Sequence, residues 1–406
     1  MSRFDPARLS RIDDWMQSYV GAGKFPGSTM LLAQDGEVVH RHTCGYRDVR
    51  EKKPFEEDTI VRIFSMTKPV TSVALMMLAE KGLFHLDAPV SEFIPEFRDA
   101  RALIPGAASL EQTEPCAPPT LHQLATHTSG LTYSFNLGLV AAEMKAMKGD
   151  FNADGVDCAE AARRAAALPL AFRPGARWEY SVGIDVLGRV IEVVSGKPLD
   201  RFFAEEIFGP LGMKDTFFSL PNDRLDRFAC LYTGIDGDPM ALGTKSDRIV
   251  MNETDRPETS PWRDVSCFSG GGGLLAPIDD YFQFAEMLRK GGAHNGARLL
   301  SPSTLRFMMR NHLPGDIASM GPQSFAEMPM VGVGFGIGGS VILDPSRSRM
   351  SGNAGDFSWG GMASTIFWVD PVADLTCIFF TQLTPSSTYP NRPQLKALVH
   401  GAMTSG

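Results

Sequence analysis

Long apolar runs are missing from this 406-residue chain, and none of its segments is long enough to cross a bilayer as a helix. Arg3, Asp5, Arg8, Arg11, Asp13 and Asp14 break up the first twenty positions, so the uninterrupted apolar stretch of a secretory leader is not there. Runs of Lys and Arg are missing too. With a formal net charge of −8, the chain repels nucleic-acid phosphates and anionic lipid, so neither nucleic acid nor a membrane is an expected partner. The expected compartment is the cytoplasm, and the expected partner is a small molecule. The six cysteines, Cys44, Cys116, Cys158, Cys230, Cys267 and Cys377, have no metal-ligand or redox spacing. A chain this long needs no disulfide staples, which leaves them as free thiols. His40 and His42 share a strand face with Cys44, but no fourth ligand accompanies them, and an ordinary strand face is expected. No metal and no cofactor are therefore predicted. There is no Gly-x-Ser-x-Gly elbow, which argues against an α/β-hydrolase. The run Gly270–Gly273 lacks the Lys-Ser/Thr ending of a phosphate loop and reads as a chain reversal.

Hydrophobic residues, by contrast, make up 43% of the chain, ample for a large core. Leu9, Ile12, Met16, Tyr19 and Val20 recur at helical spacing near the N-terminus. The apolar run Met30 to Ala33 is followed by Asp35-Gly36 and Val38-Val39, a hairpin pattern, because both turn residues must reach positive φ. Residues 66–81 predict a helix stopped by Gly82, with Pro69 tolerated only in its first turn. Ile184 to Val194 predicts another, ended by Gly196 and Pro198. The stretches Ile104 to Pro119 and Pro314 to Pro329 read as irregular loops. Strand patterns return over Val331 to Ile342, Ala363 to Val369 and Leu375 to Gln382. Strands at both ends with helices between them give an α+β expectation: an antiparallel sheet from N- and C-terminal segments, flanked by helices and interrupted by a mostly helical insertion. The predicted boundaries are a discontinuous sheet domain of 1–60 and 265–406, and a helical domain of 61–264, with the active site between them.

Ser65-Met66-Thr67-Lys68 stands at the start of the predicted 66–81 helix. Three-residue spacing puts both side chains on one face. A serine hydroxyl is a weak nucleophile until a neighbour takes its proton, and a helix N-terminus offers N–H groups to a developing oxyanion.

Ser65-Met66-Thr67-Lys68-Pro69 resembles the first motif of class C β-lactamases and of the related family VIII carboxylesterases. Leu121 through Leu131 is similar to a recurring stretch of that superfamily. Phe172-Arg173-Pro174-Gly175 leading to Tyr180-Ser181 resembles the approach to the second motif, Tyr-x-Asn. Trp359-Gly360-Gly361 resembles the esterase form of the third, Lys-Thr-Gly in the β-lactamases. The resemblance runs from about Phe25 to Gln382. It implies a serine β-lactamase-like fold, Ser65 as nucleophile, and Lys68 and Tyr180 sharing the base and acid roles. It also implies an oxyanion hole from the backbone N–H groups of Ser65 and Met362, and substrate contact by Trp359, Gly360, Gly361 and Val182. Two departures matter. Val182 replaces the Asn that donates to a β-lactam amide, and Trp359 replaces the Lys that meets its carboxylate. The implied activity is hydrolysis of short-chain esters through an acyl-enzyme, with weak β-lactamase activity as a side reaction. Acyl transfer, β-lactam or peptide hydrolysis, and a penicillin-binding-like module without turnover are the alternatives. His127, which invites a Ser–His reading, is expected to be structural and bonded to Ser129 within its turn.

Overall fold

The computed structural model describes residues 3–151, 155–236 and 250–404. Its centre is an eight-stranded sheet paired antiparallel throughout. From one edge to the other the strands are Val333–Phe335, Ser340–Ile342, Phe357–Gly360, Ile366–Asp370, Leu375–Thr381, Gly27–Gln34, Glu37–Asp48 and Lys53–Pro54. The N-terminal strand Gly27–Gln34 thus joins the five C-terminal strands on one side to the two following N-terminal strands on the other, as the sequence pattern implies. Asp35 (φ 55°) and Gly36 (φ 86°) make the expected hairpin turn, closing Gln34 onto Glu37.

Both faces of the sheet are covered, which is why the Gly27–Gln34 strand is buried at every position instead of alternating. Met30 and Leu32 pack with Ile12, Met16, Leu395 and Val399, under the helices Pro6–Gly21 and Asn391–Gly401. Leu31 and Ala33 point the other way, into the large core shared with the helices Ile278–Arg289, Thr67–Glu80 and Gly183–Ser195. The helix expected at 66–81 runs Thr67–Glu80 with Pro69 in its first turn, and Gly82 beyond it takes φ 74°. The helix expected at 184–194 runs Gly183–Ser195 and ends at Gly196 in the left-handed conformation. No helix among the described residues is long and apolar enough to cross a membrane.

Two stretches read as loops are more ordered than that. Arg101–Leu103 pairs with Thr113–Pro115 around the first of them. The second holds a short helix, Ile317–Met320, and a tight hairpin, Ser324–Phe325 with Met328–Pro329. Each pairing spans two or three residues, too short for any periodicity to register. His40 and His42 both face Asp13, at 2.8 and 3.5 Å, and Cys44 lies against Ser28. Asp13, on the helix Pro6–Gly21, thus serves both imidazoles, while Cys44 turns to Ser28.

Candidate active site

Ser65 lies in a single 3-10 turn, Phe64–Met66, that runs directly into the Thr67–Glu80 helix. Phe64 holds φ 45°, which is strained for a bulky residue, and its ring meets Trp262 edge-on. The chain reaches this turn from Val61–Arg62, which is paired with Leu275–Ala276. Arg62 is fully buried, donates to the Ala229 carbonyl at 2.7 Å and is ion-paired to Asp255. The turn is therefore anchored on both sides, and Ser65 keeps partial exposure.

Lys68, one turn along the helix and 1% exposed, aims its ammonium at three oxygens. These are Ser65 Oγ at 3.4 Å, Tyr133 Oη at 3.0 Å and the Gly271 carbonyl at 2.6 Å. Tyr180 donates to Ser65 Oγ from 2.5 Å, and its ring lies under Lys68 Nζ at 4.5 Å from the centroid. The three residues named from the sequence motifs thus converge on one hydroxyl.

Two residues and one backbone group that the sequence reasoning missed complete the cluster. Tyr133 donates to Asp185 Oδ2 at 2.7 Å, which leaves its oxygen to accept from Lys68. Burial and the Asp185 charge push the Tyr133 phenol well up, so it stays a donor to that carboxylate. Asp185 Oδ1 takes the Ser269 hydroxyl at 2.5 Å and the Gly271 N–H at 2.9 Å. The glycine run does make a chain reversal, with Gly273 N–H closing on the Ser269 carbonyl at 2.8 Å. It also delivers the Gly271 carbonyl to Lys68, and a Cβ on Gly271 would lie 2.1 Å from Asp185 Oδ2. The available signal was Asp185 itself, an acidic residue on the apolar face of its helix.

Trp359 stands next to last in the strand Phe357–Gly360, at 6% exposure. Its ring lies 5.6 Å from Tyr180 and stacks on Phe325 at 6.0 Å, so the wall beside Tyr180 is aromatic. Next along, a Cβ on Gly361 would meet the Ile63 carbonyl at 2.3 Å. Only glycine lets the Gly361–Met362 peptide come this close to the turn carrying Ser65. Val182 precedes the Gly183–Ser195 helix, fully buried, with its N–H on the Thr132 carbonyl.

His127 is fully buried, and Ser129 is not its partner. His127 Nδ1 accepts the Ser181 N–H at 3.2 Å, while Ser129 Oγ accepts from the Leu131 N–H. The reason is its left-handed backbone (φ 57°), which turns the ring away from its own turn and onto Tyr180, at 4.8 Å. Burial and the Lys68 charge hold its pKa well below the usual value, so the ring is neutral. Among the described residues, two groups of potential metal ligands lie elsewhere, Asp48 with Cys230 and Glu253, and Asp356 with Asp370 and His400. The first carries Arg256 on Asp48, and the second carries Lys396 on Asp356.

The chain matches the Beta-lactamase family over residues 12–401. It is 35% identical to Protein Rv1367c of Mycobacterium tuberculosis over 370 residues, covering 90% of this chain and 87% of that protein. It is 31% identical to esterase EstB of Burkholderia gladioli over 392 residues, covering 93% and 91%. Among solved structures it superposes on "EstCE1, a hydrolase with promiscuous acyltransferase activity" with a TM-score of 0.80 at 28% identity, covering 97% of this chain and 99% of that one.

Proposed function

The chain belongs to the Beta-lactamase family and is a serine hydrolase-type enzyme of that fold, and from this premise we propose that it is a carboxylesterase hydrolysing short, uncharged esters through an acyl-enzyme on Ser65. The observation that carries the reading is the pairing of Ser65 with Tyr180 at 2.5 Å while Lys68 points at three oxygens. Entering the cycle as the phenolate, Tyr180 is the neighbour placed to take the Ser65 proton, with the Lys68 ammonium supplying positive charge beside Ser65 Oγ and the Tyr180 ring. Ser65 Oγ then attacks the ester carbonyl. The oxyanion takes hydrogen bonds from the backbone N–H groups of Ser65 and Met362. As the tetrahedral intermediate collapses, Tyr180 returns the proton to the departing alcohol and the acyl group stays on Ser65. Water repeats the cycle: Tyr180 takes its proton, the hydroxide adds, and the proton goes back to Ser65 as the acid leaves.

The aromatic wall of Trp359 and Phe325 and the aliphatic Val182 support an uncharged substrate. A carboxylate buried there without a partner forgoes a charge-assisted bond of about 1.5–3 kcal/mol. An alcohol replacing water in the second half of the cycle makes the same site an acyltransferase, a reading favoured by what EstCE1 is described as doing. The test is a panel of p-nitrophenyl esters beside nitrocefin, with and without an added alcohol. Ser65→Ala should abolish ester turnover with the fold intact; turnover near wild type in that variant rules the assignment out.

A further inference from the structure

The hairpin Ser324–Pro329 turns at Ala326 and Glu327, with Ala326 at φ 53°. On one side of the turn, Phe325 covers Tyr180 at 4.8 Å and stacks on Trp359. On the other, Glu327 reaches inward until its side chain is only 6% exposed and meets Arg392, itself 7% exposed. The contacts are 3.3 Å from Arg392 Nε to Glu327 Oε1 and 3.5 Å from Nη1 to Oε2. Neither Oε1 nor Nε has a well-aligned hydrogen bond, so what joins them is charge. Burial pushes the Glu327 carboxyl up and the Arg392 charge pulls against it.

Arg392 is not free to follow the hairpin. Its Nη2 donates to the Gly361 carbonyl at 2.6 Å and the Thr365 carbonyl at 3.0 Å. A Cβ on Gly360 would lie 2.6 Å from its guanidinium carbon, so the glycine makes room for it. One cation thus fixes the peptide just before Met362 and also holds the acidic tip of the hairpin that places Phe325. A two-residue turn on two two-residue strands has little pairing of its own to hold it down. A buried charge, by contrast, leaves its partner only at high cost.

We propose that Glu327 and Arg392 form a latch that fastens this hairpin over Ser65, making Phe325 the wall that limits the bulk of the leaving alcohol. The alcohol side follows from Tyr180. It hands its proton to the alcohol oxygen, and Phe325 packs on that same ring, so the leaving group departs against Phe325. Glu327 and Arg392 are positioning residues, and Phe325 determines specificity. The inference rests on the esterase reading of Ser65.

The experiment compares kcat/KM for 1-naphthyl acetate and phenyl acetate, which share the acyl group and differ in the bulk of the alcohol. Glu327→Gln frees the hairpin and Phe325→Ala removes the wall; each should raise the naphthyl-to-phenyl ratio about fivefold or more. Amide hydrogen exchange over residues 324–329 should also quicken in Glu327→Gln. Phe325→Ala leaves the buried ion pair in place, so the wall is tested even if Glu327→Gln folds poorly. Unchanged ratios in both variants, with Ser65-dependent turnover intact, overturn the proposal. So does unchanged exchange in Glu327→Gln. If neither ester shows Ser65-dependent turnover, the esterase reading fails, and the exchange result still decides the latch.

Discussion

Tyr133 shows how much of this site rests on residues outside the motifs. It links Lys68 to Asp185 through one hydroxyl, accepting from the ammonium and donating to the carboxylate. Tyr133→Phe removes both bonds while keeping the ring that stacks on Phe135. A hydrogen bond to a charged group is worth about 1.5–3 kcal/mol, so kcat on p-nitrophenyl acetate should fall roughly ten- to a hundredfold. Wild-type kcat in this variant would mean that Lys68 is oriented without it. A second residue-scale expectation lies on the far face of the sheet. His400 is stacked on Trp368 beside Lys396, and burial first, then the Lys396 charge, hold its pKa down to about 4. Because the folded pKa is the lower one, the unfolded chain binds the extra proton. Stability is present above pH 6.5 and is lost as pH falls through about 4. Asp356 nearby is pushed up to about 6 by burial, and its contribution runs the other way, present at low pH and lost as pH rises through 6. His400→Gln removes only the first term. Urea unfolding should then show the variant losing less stability than wild type between pH 7 and pH 4, by at most about 3 kcal/mol. An equal loss in both would place the acid sensitivity elsewhere.

The loop Ser269–Gly273 and the helices it touches set the geometry at the scale of elements. Gly271 has Asp185 against its α-carbon, and Gly270 has the Ile184 carbonyl at 3.0 Å from a would-be Cβ. Gly271→Ala should therefore displace Asp185 or the Gly271 carbonyl, lowering stability by about 1–3 kcal/mol in urea and depressing kcat. Unaltered stability and kcat together would show that the loop gives way freely. The long elements were legible in the sequence, because the Thr67–Glu80 and Gly183–Ser195 helices and the Gly27–Gln34 hairpin carry sustained patterns with defined ends. Ser65, Lys68, Tyr180 and Trp359 were legible only through ordered motifs, since Ser-x-x-Lys on its own also suits a capped, solvated helix start. The Asp185–Gly271–Lys68 connection joins residues 86 and 203 positions apart, and only the fold reveals contacts of that separation. The same holds for Glu327 on Arg392, in a stretch whose Gly and Pro content suggested a loop.

For the whole molecule, a sheet shared between both chain ends presents the Trp359 strand to the helix start at Ser65, which follows the N-terminal strands. The sheet supplies Trp359, Gly361 and Met362; the helical part supplies Ser65, Lys68, Tyr133 and Tyr180. The proposed selectivity for neutral esters over anionic β-lactams belongs to this scale, because it would depend on what the two parts jointly exclude. Restoring polarity with Val182→Asn and Trp359→Lys should raise nitrocefin turnover relative to p-nitrophenyl acetate. The roughly ten- to hundredfold handicap of an unpaired carboxylate sets the size of the effect. Absolute rates should fall, since losing Trp359 unstacks Phe325. A ratio that does not move would locate the selectivity in the surrounding loops. The central claim is that an acyl group passes through Ser65. Acid-quenched mixtures of enzyme and p-nitrophenyl acetate, digested and weighed by mass spectrometry, test it directly. The account predicts an acetyl group on the Ser65 peptide during turnover, absent in Ser65→Ala. Acetylation at another residue that tracks turnover, or turnover with no acyl-enzyme at Ser65, would contradict it.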